Sequence, residues 1–285
     1  MTDEMLVYAT LARAAHVRPL LAAACQATGI SARLELYGSG SLFQRLGPRH
    51  APPLPDVVLW AGPFAAHSAA LAGLMQPYQP RRVADLAAHH AEWRWTAFDY
   101  RAFVGVGPPL GDLTAAASAA RLALADPERC EFGLALLLAT LDRFRQSEGD
   151  PERGWAWWQQ RVVRGVALFE DENGARSAVA DAVASHAVVL GGEGLALAGL
   201  PAVPDVVGVA ANARNVEAAR RLVDWLVGED GSEHVQGSVW RAASNGLQAA
   251  LSAAPALDVA WATQQYIAAR RRWAAHGFGP TLPRA

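Results

Sequence analysis

The sequence has 285 residues, of which 52% are hydrophobic and 18% are charged, and its 25 basic and 27 acidic residues give a net charge of −2. This composition can bury a large core and excludes a disordered chain, and a near-neutral charge without a basic run excludes the electrostatic footprint of a nucleic-acid-binding protein. Every basic residue is arginine, which excludes chemistry that needs a lysine, such as a Schiff base or a phosphate-loop lysine.

Three further features limit the class of protein: the chain length, the apolar runs and the cysteines. A chain of this length exceeds the usual size of one domain, so two compact units are expected. No apolar run approaches the roughly 20 residues that a membrane helix needs. Cys25 and Cys130 lie far apart and form no metal or redox motif, so we expect two small buried apolar side chains. The chain begins Met-Thr-Asp-Glu, without the basic and apolar segments of an export signal, so the protein either has none or has lost it.

The first part of the chain alternates between strand and helix patterns. Apolar runs and period-2 alternation predict strands, whereas apolar residues at helical spacing predict helices. The predicted strands cover 6–9, 31–37 and 56–60, and the predicted helices cover 14–27, 42–46 and 64–73. Such alternation predicts a doubly wound parallel sheet, whose ligand crevice lies beyond the carboxyl ends of the strands.

The pattern changes after Pro80. Residues 95–106 have the pattern of one long extended segment, which predicts a crossover from a first unit to a second. The second unit is predicted to contain a strand at 121–125 and helices at 132–144, 154–163 and 174–185. A strand at 203–210 and an amphipathic helix at 215–227 predict a return to the first unit, and the chain from 232 onward has a helical pattern. We therefore expect one unit from 1–98 and 205–285, with 99–204 inserted as the other.

Small hydroxyl residues follow two predicted strands of the first unit. Thr10 follows the first strand, and Ser39, Gly40 and Ser41 precede a predicted helix, so each is expected at a helix N-terminus facing the crevice. Free N–H groups and the helix dipole favour an anion there, and small hydroxyl residues add donors. Ordinary helix capping is the alternative interpretation of Ser39 and Ser41.

Three further candidates lie at the third strand and at the crossover. Trp60 and Gly62 lie at the end of the third strand, beside the same crevice. Trp60 either lines the site of an organic ligand or belongs to the core. Arg101 lies on the predicted crossover and would touch a ligand from there. The alternative interpretation of Arg101 is an exposed surface residue.

The second unit contains three candidate ligand-binding residues: a glutamate, an asparagine and an arginine. Glu131, Asn173 and Arg176 occupy loops that would face the first unit. Arg176 would pair with an anionic ligand, or it lies on a solvated helix face. Asn173 is alternatively a helix N-cap.

Enzyme and metal motifs are not convincing. The glycine pairs at 38–40 and 192–194 lack the third glycine of a dinucleotide fingerprint, and no nucleophile elbow, zinc-binding helix or paired-cysteine site occurs. His89, His90 and Glu92 form the only dense group of metal-ligand residue types, and we interpret it as a polar surface loop. We expect no catalytic residue, no cofactor and no metal site.

The tryptophans of the second unit have the spacing of helix packing. Trp155, Trp157 and Trp158 recur along one predicted helix, so we expect them in the core rather than in a stacking platform.

A series of short segments, each weak alone, has the order and spacing typical of one family. They are residues 6–10, 19–21, 28–30, 37–42, 55–62, 71–78, 95–96, 124–127 and 215–226. Together they cover most of the chain and resemble the ferric-iron and related branch of the extracytoplasmic solute-binding proteins of ABC importers. The resemblance implies a type 2 periplasmic-binding-protein fold: an α/β chain of two lobes, each a mostly parallel sheet flanked by helices, with a ligand cleft between them.

The resemblance also implies a role. Its members close on a solute and deliver it to a membrane permease, so we expect a periplasmic, monomeric protein that binds a small solute and is not an enzyme. An enzyme on the same scaffold, and a sensor that has lost transport, stay as alternatives. Nucleic acid is not expected as a partner.

The chain departs from the iron-binding pattern. Iron-binding members supply a His or Glu after the first and third strands and an adjacent pair of tyrosines from the second lobe. Here the matching loops are 10–12 and 61–63, without His or Glu, and no Tyr-Tyr pair occurs. The segment 185–203 is also shorter than the family pattern. Ferric iron is therefore not expected, and hydroxyl and arginine residues favour a small anion such as an oxyanion, a phosphonate or a carboxylate.

Overall fold

The computed structural model describes residues 4–47, 53–81, 88–110, 113, 121–191, 195–197, 199–231, 234 and 257–276. The chain divides into two compact units. One comprises Met1–Tyr100 and Pro204–Ser238, and the other comprises Arg101–Val203 and Val239–Ala285.

Strands and helices alternate in both units. In chain order the first elements are β1 (Met5–Thr10), a 3-10 turn (Leu11–Arg13), α1 (Ala14–Thr28), β2 (Ala32–Tyr37), α2 (Ser39–Leu46), β3 (Val57–Trp60), α3 (Phe64–Leu71) and β4 (Thr96–Arg101). They are followed by β5 (Phe103–Val106), β6 (Leu122–Ala125), α4 (Glu131–Glu148), α5 (Glu152–Val163), β7 (Ala167–Phe169), α6 (Glu172–Ala180) and β8 (His186–Leu190). The last are β9 (Leu195–Ala196), β10 (Val203–Val209), α7 (Val216–Val227) and α8 (Val259–Ala275).

The first unit is built on a five-stranded sheet with the order β2-β1-β3-β10-β4. Strands β1, β2 and β3 are parallel, and β10 runs antiparallel to β3. Every residue of β1 and β3 is buried, as expected for continuous apolar strands that are covered on both faces. Helix α1 ends at Gly29, whose φ of 67° lies in the left-handed region that glycine adopts without strain.

The second unit is built on a five-stranded sheet with the order β7-β6-β8-β5-β9. Strands β6, β7 and β8 are parallel, whereas β5 runs antiparallel to β8 and β9. Helix α4 approaches the end of β6 so closely that a Cβ on Gly133 would lie 2.4 Å from the carbonyl oxygen of Ala125. The predicted fold class, an α/β protein whose two units each contain parallel strands flanked by helices, is confirmed.

The sequence missed the two-residue strand β9 and, more consequentially, the strands β7 and β8 of the second unit. Helix α6 ends at Ala180 rather than at 185, and β8 begins at His186. Strand β7 has three residues, too few to show a period of their own. Both strands are defined by pairing with β6, which a local pattern does not reveal.

The chain passes from the first sheet to the second between β4 and β5, and back to the first sheet at β10. Strand β4 lies in the first sheet and β5 in the second, and only Ala102 separates them. Strand β10 returns the chain to the first sheet. The predicted extended segment 95–106 is therefore two strands that belong to different sheets.

The C-terminal helix differs from the expectation. The sequence assigned 205–285 to the first unit, but Val239–Ala285 groups with the second. The indole N–H of Trp273 on α8 donates to the buried carboxylate of Asp126 at 3.1 Å. Arg272 donates to both carboxylate oxygens of Glu152 at 2.6 Å. The pairing of these distant residues anchors α8 to the second unit.

The tryptophans of α5 are buried, as predicted. Trp155, Trp157 and Trp158 are 5%, 7% and 0% exposed, and the ring of Trp158 meets that of Trp273 edge-on at 5.3 Å. Both cysteines are free thiols, and burial raises the pKa of each. None of the helices in the described ranges combines the length and the apolarity needed to cross a bilayer.

A buried carboxylate ties the first unit together at the start of β3. Asp56 is 3% exposed and accepts hydrogen bonds from the backbone N–H groups of Leu6, Arg214 and Asn215 at 2.9, 2.7 and 2.8 Å. It therefore joins β1, β3 and the residues that lead into α7. A buried charge is tolerated because charge-assisted hydrogen bonds replace its hydration.

We expect Asp56→Ala to lower the free energy of unfolding by about 3 kcal/mol, because the buried N–H of Leu6 and the partly buried N–H groups of Arg214 and Asn215 lose their acceptor. Urea unfolding monitored by tryptophan fluorescence measures the change. The exposed Asp181 is the matched control, and Asp181→Ala should change stability by less than about 0.5 kcal/mol. Equal stability of the two variants contradicts the role assigned to Asp56.

Candidate functional site

The carboxyl ends of β1 and β3 meet at Thr10. This residue is 3% exposed, and its hydroxyl oxygen accepts the backbone N–H of Ala61 at 3.2 Å. The hydroxyl therefore ties the loops after the two strands together, while its own proton stays available to an acceptor. The structure thus brings Thr10 close to the loop that contains Gly62.

Helix α2 begins earlier than the sequence predicted. Ser39, Gly40 and Ser41 are its first three residues, and Gly38 is the N-cap. The prediction that they precede the helix is wrong, but they still lie at its N-terminus. The N–H groups of a first turn have no partner within the helix, and Ser41 is exposed.

A tyrosine that the sequence analysis did not select precedes this helix. The hydroxyl of Tyr37 donates to Glu35 at 2.5 Å, its ring lies 4.8 Å from that of Tyr8, and the Arg45 guanidinium lies 4.3 Å from its centre. Burial, and then the Glu35 carboxylate, raise the pKa of Tyr37 well above its ordinary value. Its position at the end of β2, next to Gly38, is the signal that could have identified it.

Trp60 belongs to the core. It is 1% exposed, and its buried indole N–H has no hydrogen-bond acceptor among the residues that the structure describes. The structure therefore favours the core interpretation over a ligand wall. Gly62 follows with a φ of 117°, a conformation in which a residue with a side chain would be strained.

A buried ionic cluster lies at the start of the helix that follows Thr10. Arg13 is 7% exposed, and its guanidinium lies 2.7 Å from Asp99 on β4 and 2.6 Å from Asp205 on β10. The Nε2 atom of His16 lies 3.4 Å from the same Asp99 carboxylate. Local sequence patterns do not reveal this cluster, because its members are separated by up to about two hundred residues. The Arg13 charge is matched by two carboxylates, so it is not free for an anionic ligand.

Arg101 lies at the end of β4, where the second unit begins. It is 8% exposed, so the interpretation as a surface residue is wrong. Its side chain covers the backbone of Gly191, where an added Cβ would lie 3.6 Å from the Arg101 Cδ. Gly191 in turn donates its N–H to the carbonyl of Ala102 at 2.8 Å.

The start of α6 corrects the interpretation of Asn173. Asp171 is the N-cap, and its carboxylate accepts the N–H of Gly174 at 2.8 Å. Asn173 is instead an exposed residue in the first turn. Arg176 is half-buried on the same helix and makes no ion pair with another described residue. An acidic cap already occupies this helix N-terminus, so it is a poorer anion site than that of α2.

Acidic residues also follow β6. Asp126 is fully buried and accepts the N–H of Glu128 at 2.9 Å in addition to the Trp273 indole. Glu131, the remaining candidate of the second unit, is the first residue of α4, where its charge favours the helix dipole. The ten candidates thus divide into one group in the first unit and one in the second.

The histidine group lies in the first unit, apart from the residues at the strand ends. His89 is exposed, as predicted for a surface loop, and stacks on Trp93 at 3.7 Å. His90 is half-buried and its ring lies 5.5 Å from that of His67. Burial, and then the neighbouring imidazole, lower the pKa of His67. Within the described ranges no group of three or more His, Cys, Asp or Glu residues could hold a metal ion.

A shallow cavity of about 650 Å³ lies between α1 and β2. Its lining comprises Arg18, Leu21, Ala22, Cys25, Gly29, Ile30, Ser31, Ala32 and Leu34. None of the sequence-predicted candidates lines it. It lies beside the start of β2, whereas Thr10 and Ser41 lie at the opposite ends of the parallel strands.

Comparison with known proteins identifies the fold. No protein-family model and no curated protein matches the sequence. Iron-bound HitA from Pseudomonas aeruginosa matches with a TM-score of 0.71 at 15% identity, over 95% of this chain and 99% of that chain. The periplasmic binding protein AfuA from Actinobacillus pleuropneumoniae, solved with fructose-6-phosphate, matches with a TM-score of 0.71 at 13% identity, over 95% and 98%.

A third match is the apo ferric ion-binding protein A of Pasteurella haemolytica, with a TM-score of 0.73 at 13% identity, over 98% of this chain and 99% of that chain. At these identities the likeness shows the fold alone. The chain has the fold of periplasmic binding proteins, as the sequence predicted.

The lowered pKa of His67 predicts a pH dependence. The unfolded chain takes up the proton first as pH falls, so stability is greatest above the ordinary histidine pKa of about 6.5 and is lost below it. We expect His67→Gln to lose less stability than the wild type between roughly pH 7.5 and pH 5.5 in urea unfolding. A wild-type slope in His67→Gln would contradict the prediction.

Proposed function

We propose that this chain is the solute-binding component of an ABC importer, which binds a small solute in the periplasm and delivers it to a membrane permease without chemical turnover. The observation that carries the proposal is the fold, shared over at least 95% of the chain with proteins that hold iron or fructose-6-phosphate. A monomer that binds no nucleic acid is part of the proposal. That the solute lies between the two units stays a prediction.

We further propose that the solute is a small anion or carries an anionic group. The N-terminus of α2 supports this, because its first turn consists of Ser39, Gly40 and Ser41 and contains no acidic residue. Small residues let an anion approach the backbone N–H groups, and the helix dipole adds attraction. Thr10 contributes a hydroxyl proton, while Gly62 permits the turn after β3.

Arg176 is the better cationic partner of the two predicted arginines. It is half-buried without an ion pair to another described residue, whereas Arg101 is buried over Gly191. A guanidinium without a carboxylate partner keeps its N–H groups available to an oxyanion. Asn173, exposed two positions after the acidic cap, offers an amide donor beside it.

A solute that also carries a positive group is the second candidate. The second unit places Asp126, Glu131, Asp171 and Glu172 after β6 and β7. Among these acidic residues, Glu131 at the first position of α4 is the predicted site residue. A zwitterion, such as an amino acid, would use both the α2 N-terminus and this carboxylate.

The anion proposal is tested by calorimetric titration with phosphate, citrate, fructose-6-phosphate, an amino acid and spermidine. We expect an anionic ligand to bind and Ser41→Asp to weaken it about tenfold or more, because a carboxylate then competes at the α2 N-terminus. Gln44→Glu adds the same charge one turn later on an exposed position and should have a smaller effect.

Two more variants address the predicted ligand contacts. Ser39→Ala should weaken anion binding, and Arg176→Gln should weaken it about tenfold if the guanidinium pairs with the ligand. The exposed Arg271→Gln is the control for net charge. Binding of spermidine alone, or anion affinity unchanged in all three site variants, would show that the ligand class is wrong.

Ferric iron is expected to be absent from the purified protein. The loops after β1 and β3 hold Thr10 and Ala61 where iron-binding relatives supply a His or Glu, and hydrogen bonding to Glu35 keeps the Tyr37 phenol protonated. Elemental analysis should show far less than one iron per chain, without the visible band of an iron–phenolate. One iron per chain would overturn this prediction.

A further inference from the structure

Helix α5 carries an arginine among its buried tryptophans. The Arg161 side chain is 7% exposed, and its guanidinium carbon lies 5.1 Å from the centre of the Trp157 ring. It occupies the last turn of the helix, and its carbonyl accepts the N–H of Val166 at 3.2 Å. Arg161 therefore belongs to the packed side of α5.

This guanidinium lacks the partner that a buried charge requires. Its Nε and Nη1 atoms are buried and donate to no acceptor in the described part of the chain. Arg13 and Arg145, in contrast, each lie within 2.8 Å of two carboxylates. Burial of an unpaired charge is costly, so the position favours an anion that is not part of the chain.

We propose that Arg161, with Trp157 beside it, forms a binding site for a small oxyanion. A guanidinium that packs on an aromatic ring keeps its N–H groups directed outward in its own plane, where a carboxylate, sulfate or phosphate accepts two of them. Trp157 would hold the guanidinium plane in place, and burial would exclude the water that weakens such a pair.

The charges around Arg161 support an anion and not a cation. Arg164 lies one turn further along, and burial together with this neighbour lowers the pKa of Arg161. A bound oxyanion would reverse both effects, since it replaces hydration and offsets the repulsion between the two guanidinium groups. The exposed Arg164 also provides a matched control at a similar position.

The site is distinct from the residues proposed to bind the transported solute. Arg161 is hydrogen-bonded through its backbone to Val166, which directly precedes β7, whereas Asp171 and Arg176 follow β7. The two groups therefore adjoin opposite ends of the same strand. The inference does not depend on the proposed function, because it concerns an unpaired charge within the second unit.

The test measures sulfate, phosphate and acetate binding by calorimetry and thermal unfolding, with sodium chloride adjusted to keep ionic strength constant. The wild type should bind one oxyanion that Arg161→Met, an uncharged side chain of similar length, loses or binds at least about tenfold more weakly. The midpoint of unfolding should rise with anion in the wild type and in Arg164→Met but not in Arg161→Met.

The anion-free midpoint provides a second measurement. Arg161→Met should unfold at a temperature equal to or above that of the wild type, because the unpaired buried charge is removed. Arg161→Gln serves if the methionine variant does not fold. The proposal would be overturned if anion raised the unfolding midpoint of the Arg161 variants as much as that of the wild type. It would also be overturned if anion did not raise the midpoint of the wild type.

Ser41→Asp separates this site from the solute site. In Ser41→Asp the unfolding midpoint should still rise when anion is added, because Arg161 is unchanged, even if binding at the α2 N-terminus is lost. Loss of the rise in Ser41→Asp would assign the anion effect to the solute site and refute the Arg161 site. The proposed function would fail if the wild type bound no solute. If the unfolding midpoint of Ser41→Asp still rose with anion in that case, the Arg161 site would be supported on its own. The response to sulfate or phosphate but not acetate would distinguish a tetrahedral anion from a carboxylate.

Discussion

The guanidinium of Arg13 holds the first unit together at the two places where the chain leaves and re-enters it. Asp99 lies two residues before the first segment of the second unit begins at Arg101, and Asp205 lies two residues after that segment ends at Val203. One arginine therefore fixes β4 and β10 against the start of the helix that follows β1. Because both carboxylates are nearly buried, removing the arginine would take a close ion-pair partner from each of two charges inside the protein.

This arrangement decides which groups at the strand ends are available to a ligand. Of the residues predicted at the crevice, Trp60 is in the core, and Thr10 uses its hydroxyl oxygen to accept from Ala61 but can still donate its proton. The nearby Arg13 is paired with Asp99 and Asp205. The backbone at the start of α2 is left with uncommitted donors. The anion proposal therefore rests on helix geometry more than on any charged side chain of the first unit.

Arginines that pair with carboxylates stabilise the fold, whereas a buried arginine without such a pair is a candidate for binding a ligand. Arg145 and Arg272 are bound to carboxylates and connect α8 to the second unit, so their role is explained by packing. Arg161 is as buried as Arg13 but pairs with no carboxylate in the described part of the chain. A charge that the fold does not neutralise is the feature that points to a ligand from outside the chain.

The sequence by itself determined the order of the early strands and helices, the α/β class, the two crossings near 95–106 and 203–210 and the burial of the α5 tryptophans. These follow from local periodicity and apolar runs, which adjacent residues specify. Tertiary structure alone decided the pairing of Arg13 with Asp99 and Asp205, the docking of α8 on the second unit and the strands β7 and β8. It also decided which of Asp171 and Asn173 caps α6. Each of these depends on contacts between residues far apart in the chain or on the exact helix start, and neither leaves a periodic signal in the sequence.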